Sequence, residues 1–428
     1  MKDYSLFLDL LKKLISYSSV KTAPQKGMPF GKPVYDAYSC FMDYCKDFGF
    51  DTVDYDGYIG EAIFGQGEEI GIIGHLDVVP EGNGWFIEPY TLTKKDGVFY
   101  ARGIMDDKAP LLSCLFILKE LKDLGVKPKR KFRLIAGCNE ESGWEDVAYM
   151  KTKTHFPKYG FSPDGNFPVS YAEKGMAIIE FRLPKIKNFS SVKGGTVINA
   201  VCGYATARAD SQVIDKALLK KYGLNLLDGN IIESVGKSAH GSQPQLGKNA
   251  IRPLLEYFTA TGEDLLDVVD CLFNDKYGLS NIQNEQGSVT FSPDIIEERD
   301  GNVYIKCDCR FPAPVEFTEI VKVLDKFGIP YVYEIKHGTQ FVERDGEFVS
   351  TLIRAYNAVT GEKARPQSQS GSTFARVFEK GVAFGPEFPN ESNCIHEPNE
   401  RVKETDLLKM YQIYRRAIFT LAGAEDLI

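Results

Sequence analysis

Acids and histidines recur at the ends of apolar runs in this chain of 428 residues, which holds only five histidines. His75 and Asp77 form the stretch HLD at the end of EIGIIGHLDVV, and Asp106 and Asp107 form GIMDDK just before a helix-like segment. Glu140 and Glu141 follow KFRLIAGCN, and Asp164 follows YGFSP. Residues two apart on an extended chain share a side, so His75 and Asp77 face the same way. Adjacent acids repel unless a cation lies between or beside them. Taken alone, Asp106 reads as an ordinary helix N-cap. Four clusters at four successive strand ends read instead as side chains converging on one rim, where open parallel sheets bind ligands. Such convergence is costly without positive charge, and a divalent ion or a pair of them relieves it.

The elements that must hold these side chains alternate between strand and helix from about Ile70 to Asp164. EIGIIGHLDVV and KFRLIAGC are continuous apolar runs, as expected of strands buried on both faces. APLLSCLFILKELKDLG has helical spacing, with Pro110 in its first turn and Gly125 at its C-terminal cap. DVAYMKTK starts a further helix and YGFSP a further strand. The pattern is that of an α/β layered domain with a mixed or parallel sheet. After SYAEKG the strands become amphipathic, as in MAIIEFRL and NVYIKCDCRF, with helices such as KNAIRPLLEYFTATG between them. This predicts an inserted α+β domain, 176–336, between two parts of the first domain, 1–175 and 337–428. In NVYIKCDCRF, Val303, Ile305, Cys307, Cys309 and Phe311 share one face and Lys306, Asp308 and Arg310 the other. Arg310 can therefore reach into a cleft and fork onto a carboxylate.

Composition narrows the partners. The net charge is -8, the pI is near 5.4 and no long basic run occurs, so neither nucleic acid nor an anionic membrane surface is an expected partner. Asp9, Lys12 and Lys13 interrupt the N-terminal apolar positions, which read as an amphipathic helix rather than a signal peptide. No apolar stretch is long enough to span a bilayer. A cytoplasmic location is expected, with the nine cysteines as reduced thiols. The pair Cys307 and Cys309 has no further ligand at metal-binding spacing.

In order along the chain, GHLDVVPEGNGW, YARGIMDDKAP, CNEESGW, GFSPDGNFP, SAHGSQPQLGKNA and NCIHEPNE resemble the successive motifs of the co-catalytic zinc metallopeptidases. That family includes glutamate carboxypeptidase, aminoacylase and succinyl-diaminopimelate desuccinylase. NEESGW and FSPDGNFP most resemble its PepV and Sapep dipeptidase branch. The resemblance implies a zinc-peptidase-like catalytic domain with an inserted lid domain. It implies His75 and Asp164 on one metal, Glu141 and His396 on the other, and Asp106 bridging both beside a cis peptide to Asp107. Asp77 would orient the His75 ring, and Glu140 would be the general base that activates a metal-bridged water. His240 would stabilise the oxyanion, assisted by Asn199, and Arg310 would hold a substrate carboxylate. Gly371, in SGSTF, would offer backbone amides to that carboxylate, although Ser372 stands where the family more often has a second glycine.

Two histidines and three carboxylates exceed one tetrahedral zinc and suit two divalent ions sharing a bridge. Zinc is expected, and manganese or cobalt also suits this donor set. The implied activity is a metal-dependent dipeptidase acting on small peptides. The alternative is an N-acyl amino acid deacylase, desuccinylase or carboxypeptidase of the same family. An intact Glu140 disfavours a non-catalytic scaffold. The long insert resembles that of the PepV-like branch, where it closes the site within one chain, so a monomer is expected, with a dimer as the alternative. His155 and His337 match no motif and read as structural or surface residues. Trp85 and Trp144 read as packing beneath the site.

Overall fold

The computed structural model describes residues 1–428, which pack as two compact units, 1–172 with 341–428 and 173–340. The junctions expected from sequence texture, 175/176 and 336/337, fall within the strands Gly175–Arg182 and Tyr331–His337 of the second unit.

The first unit is built on a mixed nine-stranded sheet. Its strands 51–55, 59–64, 130–137, 68–75, 159–162 and 380–383 lie side by side in that order, and the last four run parallel. Parallel neighbours need crossovers, which the helices Lys108–Asp123 and Glu145–Lys153 supply. Ile70, Ile72, Phe132, Leu134 and Ile135 are wholly buried because both faces of the sheet are covered. One face carries Lys108–Asp123, which packs in turn on Glu404–Ala422. Against the other lies a cluster of Ile59, Ile73, Ile135, Val147, Met150, Phe374 and Phe378. The Lys108–Asp123 helix has no side-chain cap at its start, so neither Asp106 nor Asp107 acts as one. It ends where Gly125 turns to φ +70° and donates its N–H to the Lys122 carbonyl.

The second unit is an antiparallel eight-stranded sheet in the order 225–227, 231–235, 204–209, 189–194, 290–299, 302–311, 175–182, 331–337. The helices Ile251–Ala260, Leu266–Phe273 and Phe317–Leu324 share its core. Val303, Ile305, Cys307, Cys309 and Phe311 face that core, as their alternation predicts. The molecule is thus an α/β domain interrupted by an α+β one. No helix is long and apolar enough to cross a membrane. All nine cysteines are free thiols.

Gly71 and Gly160 lie opposite each other on adjacent parallel strands, and the Phe378 ring covers both. A β-carbon at either position would overlap that ring. Gly71→Ala is expected to cost about 1–3 kcal/mol by overpacking. A thermal unfolding scan checks this, and an unchanged midpoint would mean that the ring moves aside freely.

Candidate metal centre

Strand register sets the level of the rim. His75 pairs with Gly137 across two parallel strands, and the Leu76 N–H donates to the Gly137 carbonyl at 3.0 Å. Ser162 Oγ donates to the Ile73 carbonyl at 2.7 Å, tying in the third strand. The chain therefore leaves three neighbouring strands at one height, carrying His75, Glu140 and Asp164 with it. Gly74 has no side chain where the buried Asp107 carboxylate approaches, and that carboxylate accepts the His75 N–H at 3.2 Å.

Two groups of donor atoms form on this rim. His75, Glu140 and Asp164 make one, and Asp106, Glu141 and His396 the other, with the atoms of each group within 4.8 Å of one another. Asp106 joins them: its Oδ1 lies 2.9 Å from His75 Nε2 and its Oδ2 lies 2.9 Å from His396 Nε2. The Asp106–Asp107 peptide is cis, as the resemblance implies. His396 Nε2 also lies 3.1 Å from a Glu141 oxygen, and His75 Nε2 lies 3.7 Å from Asp164 Oδ2. His75 Nε2 is buried yet makes no well-aligned hydrogen bond. It lies among the donor atoms of its group and 2.9 Å from Asp106 Oδ1.

Asp77 works on two sides of the site. His75 Nδ1 lies 3.0 Å from the Asp77 backbone carbonyl and 3.5 Å from its carboxylate. That carboxylate accepts the backbone N–H groups of Glu140 and Glu141, each at 3.1 Å. One buried acid thus fixes a ring nitrogen and the turn that carries both glutamates.

The electrostatics show why this set suits cations. Burial, then Asp106 among its neighbours, pushes Asp164 up to about 8. Burial followed by neighbouring acids raises Glu140 well above the usual carboxylate range, and raises Glu141 and Asp107 as well. Asp106 goes the other way, because His396 and His75 overcome the effect of its burial. Burial opposes the charged form of His396, but Asp106 and Glu141 outweigh it and bring the ring up to about 11. His75 is raised in the same manner by Asp106 and Asp77.

Sequence reasoning did not assign several residues that shape the rim. Glu400 is fully buried and accepts the N–H groups of Gly103 at 2.9 Å and Met105 at 2.8 Å, together with Arg102 Nη1 at 2.9 Å. It therefore holds the loop leading into Asp106. Asp146, which reads as an ordinary first-turn acid, accepts the N–H groups of Cys138 and Asn139. Glu387 pairs through its backbone with Gly165 and Phe167, next to Asp164. Burial, then Asp106, lifts its carboxyl to about 7. Phe374 meets the His75 ring edge-on at 6.3 Å and Trp144 at 5.2 Å, so Trp144 does pack beneath the site. Trp85 lies against the Arg102 guanidinium, 5.3 Å from its ring centre.

Gly371 lies in an exposed loop of the first unit, just before the Phe374–Val377 turn. Asn199, His240 and Arg310 belong to the second unit. There Gly241 donates its N–H to the Asn199 carbonyl at 2.6 Å, which joins the Asn199 and His240 loops. Asn199 takes φ +77°, and its N–H donates to the buried Asp294 at 2.9 Å. His240 Nδ1 lies 2.7 Å from Ser242 Oγ. Arg310 forks onto Asp308 through Nε at 2.8 Å and Nη2 at 3.1 Å. His155 Nε2 lies 2.8 Å from a Glu69 oxygen at the surface.

A mixed sheet with two donor groups sharing one aspartate at its rim defines a candidate dinuclear metal centre. The model for Peptidase family M20/M25/M40 matches residues 71–420, and the chain belongs to that family. The Beta-Ala-Xaa dipeptidase of Lactobacillus delbrueckii subsp. lactis is 32% identical over 93% of this chain and 92% of its own. Human carnosine dipeptidase 1 superposes with a TM-score of 0.61 at 15% identity, covering 98% of this chain and 96% of its own. A dinuclear metal-binding M20 peptidase of Bacillus subtilis superposes with a TM-score of 0.55 at 11% identity, with 98% of each chain covered. At these identities the two structures speak for the fold, and the fold is the one the motifs imply.

Metal loading should release protons. His75, His396, Asp164 and Glu140 all hold protons more tightly than usual, whereas ligation requires neutral rings and ionised carboxylates. Apparent affinity should therefore rise with pH. Calorimetric titration of metal-stripped protein at pH 7, in buffers of different ionisation enthalpy, measures the release. A net uptake would contradict this account.

Proposed function

We propose that this chain is a dinuclear metal-dependent dipeptidase that hydrolyses short peptides with a free amino terminus and a free carboxylate. The carrying observation is the adjacent pair Glu140 and Glu141: each joins a different donor group, and Asp106 links the two groups. Likeness over almost the whole length to the Beta-Ala-Xaa dipeptidase supports the dipeptide reading over deacylation.

His75 and Asp164 would hold one ion, Glu141 and His396 the other, and Asp106 both; zinc is the proposed metal, with manganese or cobalt accepted. When bound, such ions polarise a carbonyl and acidify water near neutral pH. Glu140 takes the proton of the attacking water and returns it to the leaving amine. Asp77 holds the His75 ring and the glutamate turn in register. His240 stabilises the developing oxyanion, Asn199 assists it, and Arg310 with the loop at Gly371 receives the substrate carboxylate. On this reading 1–175 and 337–428 form the catalytic domain and 176–336 the lid, and the chain acts as a monomer. Nine free thiols support a reducing, cytoplasmic setting.

The test is hydrolysis of a dipeptide panel and matched N-acetyl amino acids, after metal stripping and re-addition of zinc or manganese. Metal-restored dipeptide cleavage is expected, and Glu140→Ala should lower kcat by about 10²–10⁴-fold. Cleavage of the N-acetyl compounds alone would move the chain to the deacylase class.

A dipeptidase also needs a partner for the substrate ammonium, and Glu387 is the proposed one. It lies beside the Asp164 loop, belongs to neither donor group and is paired with no lysine or arginine. Glu387→Gln should raise KM for free-amino dipeptides about 10- to 100-fold, as loss of a charge-assisted hydrogen bond does. N-acetyl substrates should be unaffected, and equal losses on both classes would remove Glu387 from that role.

A further inference from the structure

We propose that Asp146 is a positioning residue for the Glu140–Glu141 pair, holding the turn that aims both side chains whether or not metal is bound. The inference rests on the metal-centre reading above.

The turn after the Arg130–Gly137 strand exposes four consecutive backbone N–H groups, and two buried carboxylates take all four. Asp146 Oδ2 accepts from Cys138 at 2.7 Å and from Asn139 at 3.0 Å. Asp77 Oδ1 and Oδ2 accept from Glu140 and Glu141, each at 3.1 Å. A carboxylate that served only as a helix cap would bond amides of its own first turn. Asp146 gives Oδ1 to the Val147 N–H at 2.7 Å, but directs its other oxygen to amides seven and eight residues upstream.

The surroundings are shaped for this contact. Asp146 is wholly buried and makes no ion pair, so main-chain amides are what satisfy it. Gly137 leaves room beneath the strand end, where a β-carbon would crowd the Phe374 ring and Asp146 Oδ2. The Trp144 N–H closes the turn onto the Asn139 carbonyl at 2.9 Å, and Ser142 Oγ donates to Asn139 Oδ1 at 2.7 Å. Both oxygens of Asp146 accept hydrogen bonds. An asparagine of the same size therefore sets its NH₂ against an N–H on one side or the other, loosening the turn without emptying the site.

The experiment compares Asp146→Asn with Glu263→Gln in the full chain. Glu263 makes the same kind of clamp, onto the N–H groups of Lys187 and Asn188 in the second unit, and has no part in the metal centre. For Asp146→Asn, zinc affinity by chelator competition should fall about 10- to 100-fold, the range for outer partners of metal sites. kcat on a dipeptide should fall within about the same range, with KM within about threefold of wild type. Glu263→Gln should lower the unfolding temperature and leave zinc affinity and kcat unchanged. If Asp146→Asn behaves like Glu263→Gln, the proposal is overturned. The affinity measurement decides this even if no dipeptide is cleaved, so failure of the functional reading is separable. Should Asp146→Asn not fold, hydrogen exchange on metal-stripped wild type decides: slow exchange at Cys138 and Asn139 is expected, and exchange at open-loop rates there would refute the proposal.

Discussion

The rim of this fold concentrates negative charge, and none of its six donor side chains makes an ion pair with a lysine or arginine. Like charges up to 4.8 Å apart, the reach of each donor group, repel by about 3–4 kcal/mol at an effective dielectric of 20. Much else in the first unit can be understood as containing that repulsion. The two histidines serve as the cations for Asp106, and burial with neighbouring acids raises Asp164 and Glu140 above the usual carboxylate range. A pair of divalent ions would replace both devices at once, because it would satisfy the carboxylates and release the histidines to act as neutral ligands.

Holding such groups together requires a frame that does not itself yield. Here the frame is made of backbone amides and buried acids. Asp77, Asp146 and Glu400 each accept at least two main-chain N–H groups, and all three are shielded from solvent. Two of them grip the Glu140–Glu141 turn and the third grips the approach to Asp106. Asp146 has only main-chain amides as partners, whereas Glu400 also pairs with Arg102 and Asp77 lies beside the His75 ring, so amide dipoles and side-chain cations share the task.

The rim was legible because its chemistry and its periodicity coincide. Continuous apolar runs such as EIGIIGH and KFRLIAG end at the same height in a parallel sheet, so residues that close them must meet. His75, Glu140, Glu141 and Asp164 were therefore visible from strand ends; Asp106, expected at a strand end too, instead precedes the Lys108–Asp123 helix and follows no strand of this sheet, and His396, isolated in a loop, rested on the motif resemblance alone. Asp146 and Glu400 were not legible. Their partners are backbone amides, which carry no residue type, and the contact depends on three-dimensional closure of a turn. Phe374 was hidden for a similar reason: its contact with His75 comes from a short turn that no hydrophobic period announces. The boundary between the units was blurred because strands begin before the texture of their residues changes.

The second unit applies the same economy to a cation. Arg310 lies on the sheet face opposite the apolar core, yet it is only 5% exposed, and its counter-charge is the buried Asp308 two residues earlier on the same strand. Alternation along a strand guarantees that such a pair shares a face. A guanidinium gripped along its Nε–Nη2 edge has its plane fixed before any ligand arrives. Less rotamer freedom then remains to be lost on meeting a planar carboxylate, which favours recognition by preorganisation over recognition by charge alone. Burial carries the opposite cost, since removing Asp308 would take away the carboxylate that grips this buried charge. The two units thus solve mirror problems: one surrounds excess acid with amides, and the other grips a buried arginine with an acid that the strand itself supplies.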